Sequence, residues 1–127
     1  MTPGRILVVE DNPKNLKLVR DVLQFSGYEV IGATTGEEGV RLANEVSPDL
    51  ILMDLKLPGI DGAEALRQIR ASDRTREVPV VAVTASAMDD DRDRAFEWGF
   101  IGYVEKPISV RGLPQQVHDF LKLGGST

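Results

Sequence analysis

The sequence predicts an α/β domain in which a parallel sheet carries helices on both faces. Segments with helical spacing alternate with short apolar runs, a pattern typical of parallel sheets. The runs show little polar alternation, which suits strands covered on both faces. Five such units favour a flavodoxin-like (βα)5 fold, a doubly wound five-stranded sheet with strand order 2-1-3-4-5. The five runs are Ile6–Val9, Val30–Ala33, Leu50–Met53, Val80–Val83 and Ile101–Val104.

The first three helices each have a start signal before an apolar face with helical spacing. Asn12 followed by Pro13 predicts the N-cap and first residue of the first helix. Thr35 is expected to cap the second helix, which ends before Pro48. Asp61 is expected to cap the third.

The last two helices complete the alternation. The fourth is predicted from about Ala87 to Trp98, because Gly99 follows as a stop signal. The fifth is predicted from about Val110 to Leu123, with Pro114 in its first turn, where a missing N–H is tolerated.

Length and composition exclude several classes of protein. A chain of 127 residues fits one domain, for which we expect a core at residues 4–123 and a flexible tail at 124–127. The absence of cysteine excludes disulfides, thiolate metal sites and a cysteine nucleophile. The net charge of -5 argues against direct binding of nucleic acid. No apolar segment has the length of a signal sequence or a membrane helix, so we expect a cytoplasmic protein.

Polar side chains stand where the predicted strands end. Glu10 and Asp11 follow the first strand, Asp54 the third, Thr84 the fourth and Lys106 the fifth. The carboxyl ends of parallel strands meet at one edge of the sheet, where open α/β sheets bind ligands. We therefore expect three carboxylates, a hydroxyl and an ammonium group to converge there.

These groups together suit phosphoryl transfer. Three neighbouring carboxylates repel one another unless a cation joins them, and oxygen ligands favour Mg²⁺. Asp54 would then act as nucleophile and form an aspartyl phosphate, while Lys106 and Thr84 stabilise the transferred group. The alternative is that the acids only cap the helices that follow, as Asp11 and Asn12 could do for the first helix.

Four motifs together resemble the receiver domain of two-component response regulators, the CheY-like superfamily. They are "ILVVEDN", "PDLILMDLKLPGIDG", "VPVVAVTASAM" and "GYVEKPIS", and the similarity covers about residues 4 to 123. Among these domains, the sequence is most similar to stand-alone receivers of the DivK type.

The resemblance implies an acceptor and a metal site. Asp54 accepts a phosphoryl group from a phosphohistidine on a partner protein. Asp11, Asp54 and the main-chain carbonyl of Lys56 ligate Mg²⁺, and Glu10 helps to hold it through water. Mn²⁺ would fit the same ligands. Glu10 and Asp11 stand where the family often has two aspartates, a variation that the metal site tolerates.

The resemblance also implies a switch. Thr84 moves to bind the phosphoryl group, Lys106 pairs with it, and Tyr103 swings into the space that Thr84 leaves. The face formed by the fourth helix, fifth strand and fifth helix then changes shape. The Lys106–Pro107 bond is expected to be cis.

Two residues are assigned to tuning the lifetime of the phosphoryl group. Lys56 stands two residues after Asp54, and Ser86 two residues after Thr84. For Lys56, the alternative is a solvated lysine with no effect on the rate of dephosphorylation.

Three functions compete. The first is a single-domain regulator, not an enzyme in the ordinary sense, which signals to a downstream effector without binding nucleic acid or membrane. Its phosphodonor is a histidine kinase or a histidine phosphotransferase, and it is a monomer or a weak, phosphorylation-dependent dimer. The second is the receiver part of a longer DNA-binding or enzymatic regulator. The third is a phosphatase of the haloacid-dehalogenase type, for which Lys56 stands where a second acid is usual.

Other residues have less specific interpretations. The acidic run at residues 89–93 either forms a partner-facing patch or stabilises a helix N-terminus, and the second is favoured. His118, the only histidine, is expected at or near the surface. Phe96 and Trp98 are either core anchors or partner contacts, and at least one of them is expected in the core.

Overall fold

The structure, a computed structural model, describes residues 4–85 and 89–124, without the side chains of residues 89–92 and 124. It confirms the predicted flavodoxin-like fold, with one parallel sheet of strand order β2-β1-β3-β4-β5. The strands are β1 (Arg5–Val9), β2 (Glu29–Ala33), β3 (Leu50–Asp54), β4 (Val80–Thr84) and β5 (Gly102–Glu105). The helices are α1 (Pro13–Phe25), α2 (Gly36–Val46), α3 (Gly62–Ala71), α4 (Asp89–Trp98) and α5 (Leu113–Gly124).

Two hydrophobic clusters cover the two faces of the sheet. On one face, α1 and α5 pack through residues such as Leu23 and Val117 against the side chains of Ile6 and Val8. On the other, α2, α3 and α4 pack against the alternate strand residues, such as Leu7. Successive residues of a strand point to opposite faces, so continuous apolar strands serve both clusters.

The predicted N-caps are present. Asn12 Oδ1 accepts hydrogen bonds from the main-chain N–H groups of Lys14 and Asn15, at 2.9 and 3.3 Å. Thr35 Oγ1 accepts a hydrogen bond from the main-chain N–H of Glu38 in α2 at 3.0 Å. Asp61 Oδ1 accepts one from the main-chain N–H of Glu64 in α3 at 2.9 Å. These bonds satisfy N–H groups that the first turn of a helix leaves without partners. They fix where each helix begins relative to the strand before it.

The fifth helix begins later than the sequence predicts. It starts at Leu113 rather than at Val110, because the chain first makes a turn held by Ser109. Ser109 Oγ accepts from the N–H of Gly112 at 3.0 Å, and its carbonyl accepts from the N–H of Leu113 at 2.9 Å. Pro114 is therefore the second residue of the helix. Residues 87 and 88, where the fourth helix was expected to begin, lie outside the described residues.

The expectation for the aromatic residues of α4 is wrong. Phe96 and Trp98 are 50% and 45% exposed, so neither is a core residue. Ala95 and Phe100 supply the buried side chains of this segment instead. His118 lies at the surface, as expected. Within the described residues, no helix has the length and apolar character needed to cross a membrane.

Gly39 marks the tightest contact of α2 with the sheet, and its replacement by alanine should destabilise the fold. A Cβ atom there would lie 2.7 Å from Cγ2 of Val9, a buried, branched side chain that has little room to move. Overpacking of this kind costs about 1–3 kcal/mol, more than the gain of up to about 1 kcal/mol from better helix propensity. We therefore expect a lower free energy of unfolding for Gly39→Ala, measured by urea denaturation.

The matched control for this test is Arg41→Ala on the exposed side of the same helix. It should change the free energy of unfolding by less than about 0.5 kcal/mol. A Gly39→Ala variant as stable as the wild type would show that Val9 can yield, and would contradict the packing argument.

Candidate functional site

Three carboxylates meet at the carboxyl edge of the sheet. Glu10 and Asp11 follow β1 and Asp54 ends β3, and these two strands are neighbours in the sheet. One oxygen atom of each lies within 4.8 Å of the others, a spacing that could hold a metal ion. Glu10 and Asp54 are only 4% and 5% exposed, whereas Asp11 is exposed. The cluster therefore has a buried floor and one open side.

Lys106 supplies the positive charge in this cluster. Its Nζ atom lies 2.8 Å from Asp54 Oδ2 and 2.9 Å from Glu10 Oε1. The main-chain N–H of Lys106 donates to the carbonyl of Thr84 at 2.8 Å, which holds the end of β5 beside the end of β4. The peptide bond between Lys106 and Pro107 is cis.

Main-chain N–H groups orient the two buried carboxylates. Asp54 Oδ1 accepts from the N–H of Lys56 at 2.9 Å, so both of its oxygens have donors. Glu10 Oε2 accepts from the N–H of Asn12 at 3.1 Å. Each carboxylate is thus fixed by one main-chain donor and by the Lys106 ammonium group. Preorganisation of this kind keeps a nucleophile in place before a ligand arrives.

The environment shifts the protonation of this cluster. Burial raises the pKa of Glu10 and the nearby charge of Asp54 adds to the rise, although hydrogen bonds from Lys106 and from the N–H of Asn12 oppose it. Burial acts to lower the pKa of Lys106, but its hydrogen bonds to Asp54 and Glu10 outweigh that effect and raise it. The lysine therefore keeps its proton firmly because two acids surround it.

Asp54 also lines a cleft of about 250 Å³ between the β3–α3 loop, the end of β4 and α4. We call this the acceptor cleft. Its lining residues are Asp54, Leu55, Lys56, Thr84, Ala85, Arg94 and Trp98. Sequence reasoning assigned neither Arg94 nor Trp98 to this cleft. Their spacing of four residues, which puts them on one helix face, was the available signal.

The remaining predicted residues fall into three groups. Thr84 lines the acceptor cleft and is half-buried, as is Tyr103, which packs against the cluster on the α2–α3–α4 face. Lys56 contributes both its N–H to Asp54 and an exposed side chain. Ser86 lies outside the described residues, and so do the side chains of residues 89–91 in the acidic run.

Removal of the Lys106 charge should destabilise the protein at neutral pH. Lys106→Met leaves two buried carboxylates without their ammonium partner, at an expected cost of about 1–3 kcal/mol in the free energy of unfolding. The folded-state pKa of Lys106 lies above its ordinary value of 10.5. The stability that it contributes is therefore fully present below pH 10.5 and is lost as the pH rises through the folded-state value. Urea denaturation of both proteins from pH 7 to 11.5 measures the difference.

Lys17→Met is the matched control, because Lys17 forms an exposed ion pair with Asp21 on α1. We expect it to cost less than about 0.5 kcal/mol. If the Lys106→Met deficit were equally small at pH 7, Lys106 would not hold the carboxylate cluster together.

Comparison with known proteins identifies the family. A family model described as "Response regulator receiver domain" matches residues 6–118. The polar-differentiation response regulator DivK of Brucella anthropi is 43% identical over 119 residues, which are 94% of this chain and 97% of that protein. This agrees with the resemblance to DivK-type receivers seen in the sequence.

Solved structures agree with this result. The receiver domain of sensor histidine kinase PA1611 from Pseudomonas aeruginosa, which has a magnesium ion coordinated in its active-site cleft, is 37% identical. It superimposes with a TM-score of 0.85 over 93% of this chain and 97% of that one. A putative response regulator from Chloroflexus aurantiacus is 31% identical, with a TM-score of 0.88 over 94% and 98% of the two chains. The chain therefore belongs to the response regulator receiver domain family.

Proposed function

We propose that this protein is the phosphoacceptor of a two-component system or phosphorelay, with Asp54 as the acceptor. The observation that carries the proposal is the buried carboxylate of Asp54, a residue that lines a cleft, at 2.8 Å from the Lys106 ammonium group. A buried acid that pairs with a lysine and lies beside two further acids fits a nucleophile better than a helix cap. Asp54 caps no helix, since α3 is capped by Asp61.

The proposed reaction exchanges one bond at phosphorus for another. An Asp54 oxygen attacks the phosphorus atom of a phosphohistidine on a histidine kinase or histidine phosphotransferase. An O–P bond forms, the N–P bond breaks, and the imidazole leaves with the electron pair, neutral when its other nitrogen carries a proton. Lys106 and the Thr84 hydroxyl stabilise charge on the equatorial oxygens. The chain catalyses only its own phosphorylation and dephosphorylation.

Mg²⁺ is the proposed metal. Carboxylate oxygens of Glu10, Asp11 and Asp54 fit a hard divalent cation, and three acids against one lysine leave negative charge for it to balance. We propose that Asp11, Asp54 and the main-chain carbonyl of Lys56 bind it directly and that Glu10 acts through water. Mn²⁺ fits the same ligand set. When bound, the cation offsets the negative charge of the cluster and of the transferred group.

The proposed output is a change of shape coupled to Thr84 and Tyr103. A phosphoryl group adds nearly two negative charges at Asp54, and Thr84 lines the same cleft. Displacement of Thr84 would open space for the half-buried ring of Tyr103, which lies on the neighbouring strand. The surface of α4, β5 and α5 would then change, and an effector that prefers the changed surface would bind. That surface also suits a weak, phosphorylation-dependent dimer.

We propose a single-domain regulator that spans residues 1–127 and acts through protein contacts. The support is that the chain covers 97% of the Brucella anthropi DivK sequence, so that relative has no room for a large output domain. A receiver part of a longer regulator is the alternative, since the PA1611 domain belongs to a histidine kinase. Sequencing of the complete gene separates the two.

Lys56 is proposed to tune the lifetime of the phosphoryl group. Its exposed side chain lines the acceptor cleft two residues after Asp54, where an attacking water would enter. The sequence assigns the same role to Ser86, which lies outside the described residues.

The first test of the proposed function is the intact mass of the protein after incubation with acetyl phosphate. We expect the wild type to gain one phosphoryl mass, because Asp54 is a preorganised nucleophile. The gain should require Mg²⁺ and should be absent in Asp54→Asn. Asp21→Asn is the matched control, because Asp21 is an exposed carboxylate on α1 and should leave the gain intact.

Rapid hydrolysis could hide the adduct, so a second measurement accompanies the mass. Beryllofluoride with Mg²⁺ mimics a bound phosphoryl group and should raise the melting temperature of the wild type by mass action. No adduct together with no rise in melting temperature would overturn the proposed function.

The proposed switch is tested by nuclear magnetic resonance of protein labelled with 3-fluorotyrosine. The chain has two tyrosines, so the spectrum should contain one signal from Tyr103 and one from Tyr28, which is buried in the opposite cluster. With Mg²⁺ and beryllofluoride, we expect the Tyr103 signal to move and the Tyr28 signal to stay. Thr84→Ala should abolish the movement, whereas Thr84→Ser should retain it because the hydroxyl remains. A Tyr103 signal that moves equally in Thr84→Ala would contradict coupling through Thr84.

A further inference from the structure

The β3–α3 loop, residues 55–61, packs closely against the first turn of α2. A Cβ atom added at Gly36 would lie 2.7 Å from both Cγ1 and the carbonyl oxygen of Ile60. A Cβ atom added at Gly59 would lie 2.5 and 2.6 Å from the two carboxylate oxygens of Glu37. The two glycines therefore allow the main chain of the loop and the first turn of α2 to touch.

Glu37 binds this loop through its carboxylate. Its Oε2 atom accepts a hydrogen bond from the main-chain N–H of Ile60 at 3.4 Å, across 23 residues of sequence. Gly59, directly before Ile60, has a φ of 75°, a left-handed conformation that glycine adopts without strain. The side chain of Ile60 is half-buried and packs with the hydrophobic cluster on the α2–α3–α4 face. The carboxylate thus contacts the loop main chain beside an anchored side chain.

The same loop carries a main-chain contact with the proposed acceptor. The N–H of Lys56 donates to Asp54 Oδ1 at 2.9 Å. The loop is closed at its base, because the N–H of Gly62 donates to the carbonyl of Leu55 at 3.1 Å. A short segment joins Lys56 to Ile60 within this closed loop. The contact at each of these two residues therefore constrains the conformation of the other.

Helix stability alone does not explain the position of the Glu37 carboxylate. An acidic residue in the first turn of a helix is favourable because it lies near the positive end of the helix dipole. Glu38 stands in the same turn, and it accepts a hydrogen bond from the main-chain N–H of Thr34 at 2.8 Å. A contact with a loop 23 residues away adds nothing to the dipole term, so it indicates a second role for Glu37.

We propose that Glu37 is a positioning residue for the acceptor. By holding Ile60 against α2, its carboxylate keeps the β3–α3 loop in the conformation in which the Lys56 N–H bonds to Asp54. One consequence rests on the proposed function, in which the main chain of Lys56 supplies a ligand to Mg²⁺. Loss of the Glu37 contact should loosen Lys56 in the metal-free protein, and it should also weaken the binding of Mg²⁺.

The first measurement is hydrogen exchange of the Lys56 amide in metal-free protein, by nuclear magnetic resonance. We expect Glu37→Ala to speed this exchange at least about fivefold, because the loop opens more readily without the hydrogen bond. The amide of Leu52 in β3 reports global unfolding, and the change at Lys56 should exceed any change there. The dissociation constant of Mg²⁺, measured by isothermal titration calorimetry, should rise at least about threefold in the same variant.

Glu37→Gln separates the hydrogen bond from the charge. Its amide oxygen can still accept from the N–H of Ile60, although the negative charge is gone. We expect this variant to keep the Lys56 exchange rate and the Mg²⁺ dissociation constant within about twofold of the wild type. Glu45→Ala is the matched control, because it removes the same charge from an exposed site on α2, where Glu45 pairs with Arg41. It should leave both quantities unchanged.

Several results would overturn the proposal. A Lys56 amide that exchanges no faster in Glu37→Ala, relative to Leu52, would do so, and so would an unchanged affinity for Mg²⁺. Equal effects in Glu37→Ala and Glu37→Gln would assign the effect to charge and not to the hydrogen bond. Faster exchange at Ile60 alone would show that the contact acts only locally. Wild-type protein that binds no Mg²⁺ and gains no phosphoryl mass would instead contradict the proposed function, whatever the exchange of Lys56.

Discussion

The ion pairs of Lys106 with Asp54 and Glu10 are the interaction on which the rest of the site depends. Two buried carboxylates with oxygen atoms within 4.8 Å of each other repel, and burial makes that repulsion stronger. Lys106 relieves it with contacts of 2.8 and 2.9 Å, which also fix the direction of both carboxylates. A site that kept the acids without the lysine would lose either its charge or its geometry.

The sheet makes this interaction possible. Parallel order places the ends of β1, β3 and β5 at the same edge, although about 50 residues of sequence separate Asp54 from Lys106. Two hydrophobic clusters, one on each face, hold the strands that carry the charges. The hydrogen bond from the Lys106 N–H to the Thr84 carbonyl joins the lysine to the residue proposed to move. Rigid strands thus hold the charged residues, whereas loops and α4 form the cleft above them.

The parts of this arrangement that could be predicted from sequence are those with local signals. Continuous apolar runs predicted the strands, and cap residues such as Thr35 predicted where helices begin. The acidic residues that follow the strands predicted the carboxylate cluster. The exposure of Trp98 and the late start of α5 could not be predicted in this way. The first depends on which face of α4 meets the sheet, where Ala95 is buried instead. The second depends on a serine turn whose residues carry no strong periodic signal.

The positively charged side chains of the site differ in burial, and burial determines how much each one contributes to stability. Lys106 is 22% exposed at the side chain and surrounded by acids, so it stabilises the resting protein and its proton is held firmly. The side chains of Arg94 and Lys56 line the acceptor cleft and are exposed, so water screens their charges and they contribute little to stability. Their influence grows only when a ligand excludes that water, because an interaction of charges strengthens as the local dielectric falls. The half-buried Lys106 therefore holds Asp54 in place, whereas the exposed cations would act only on a ligand that enters the cleft.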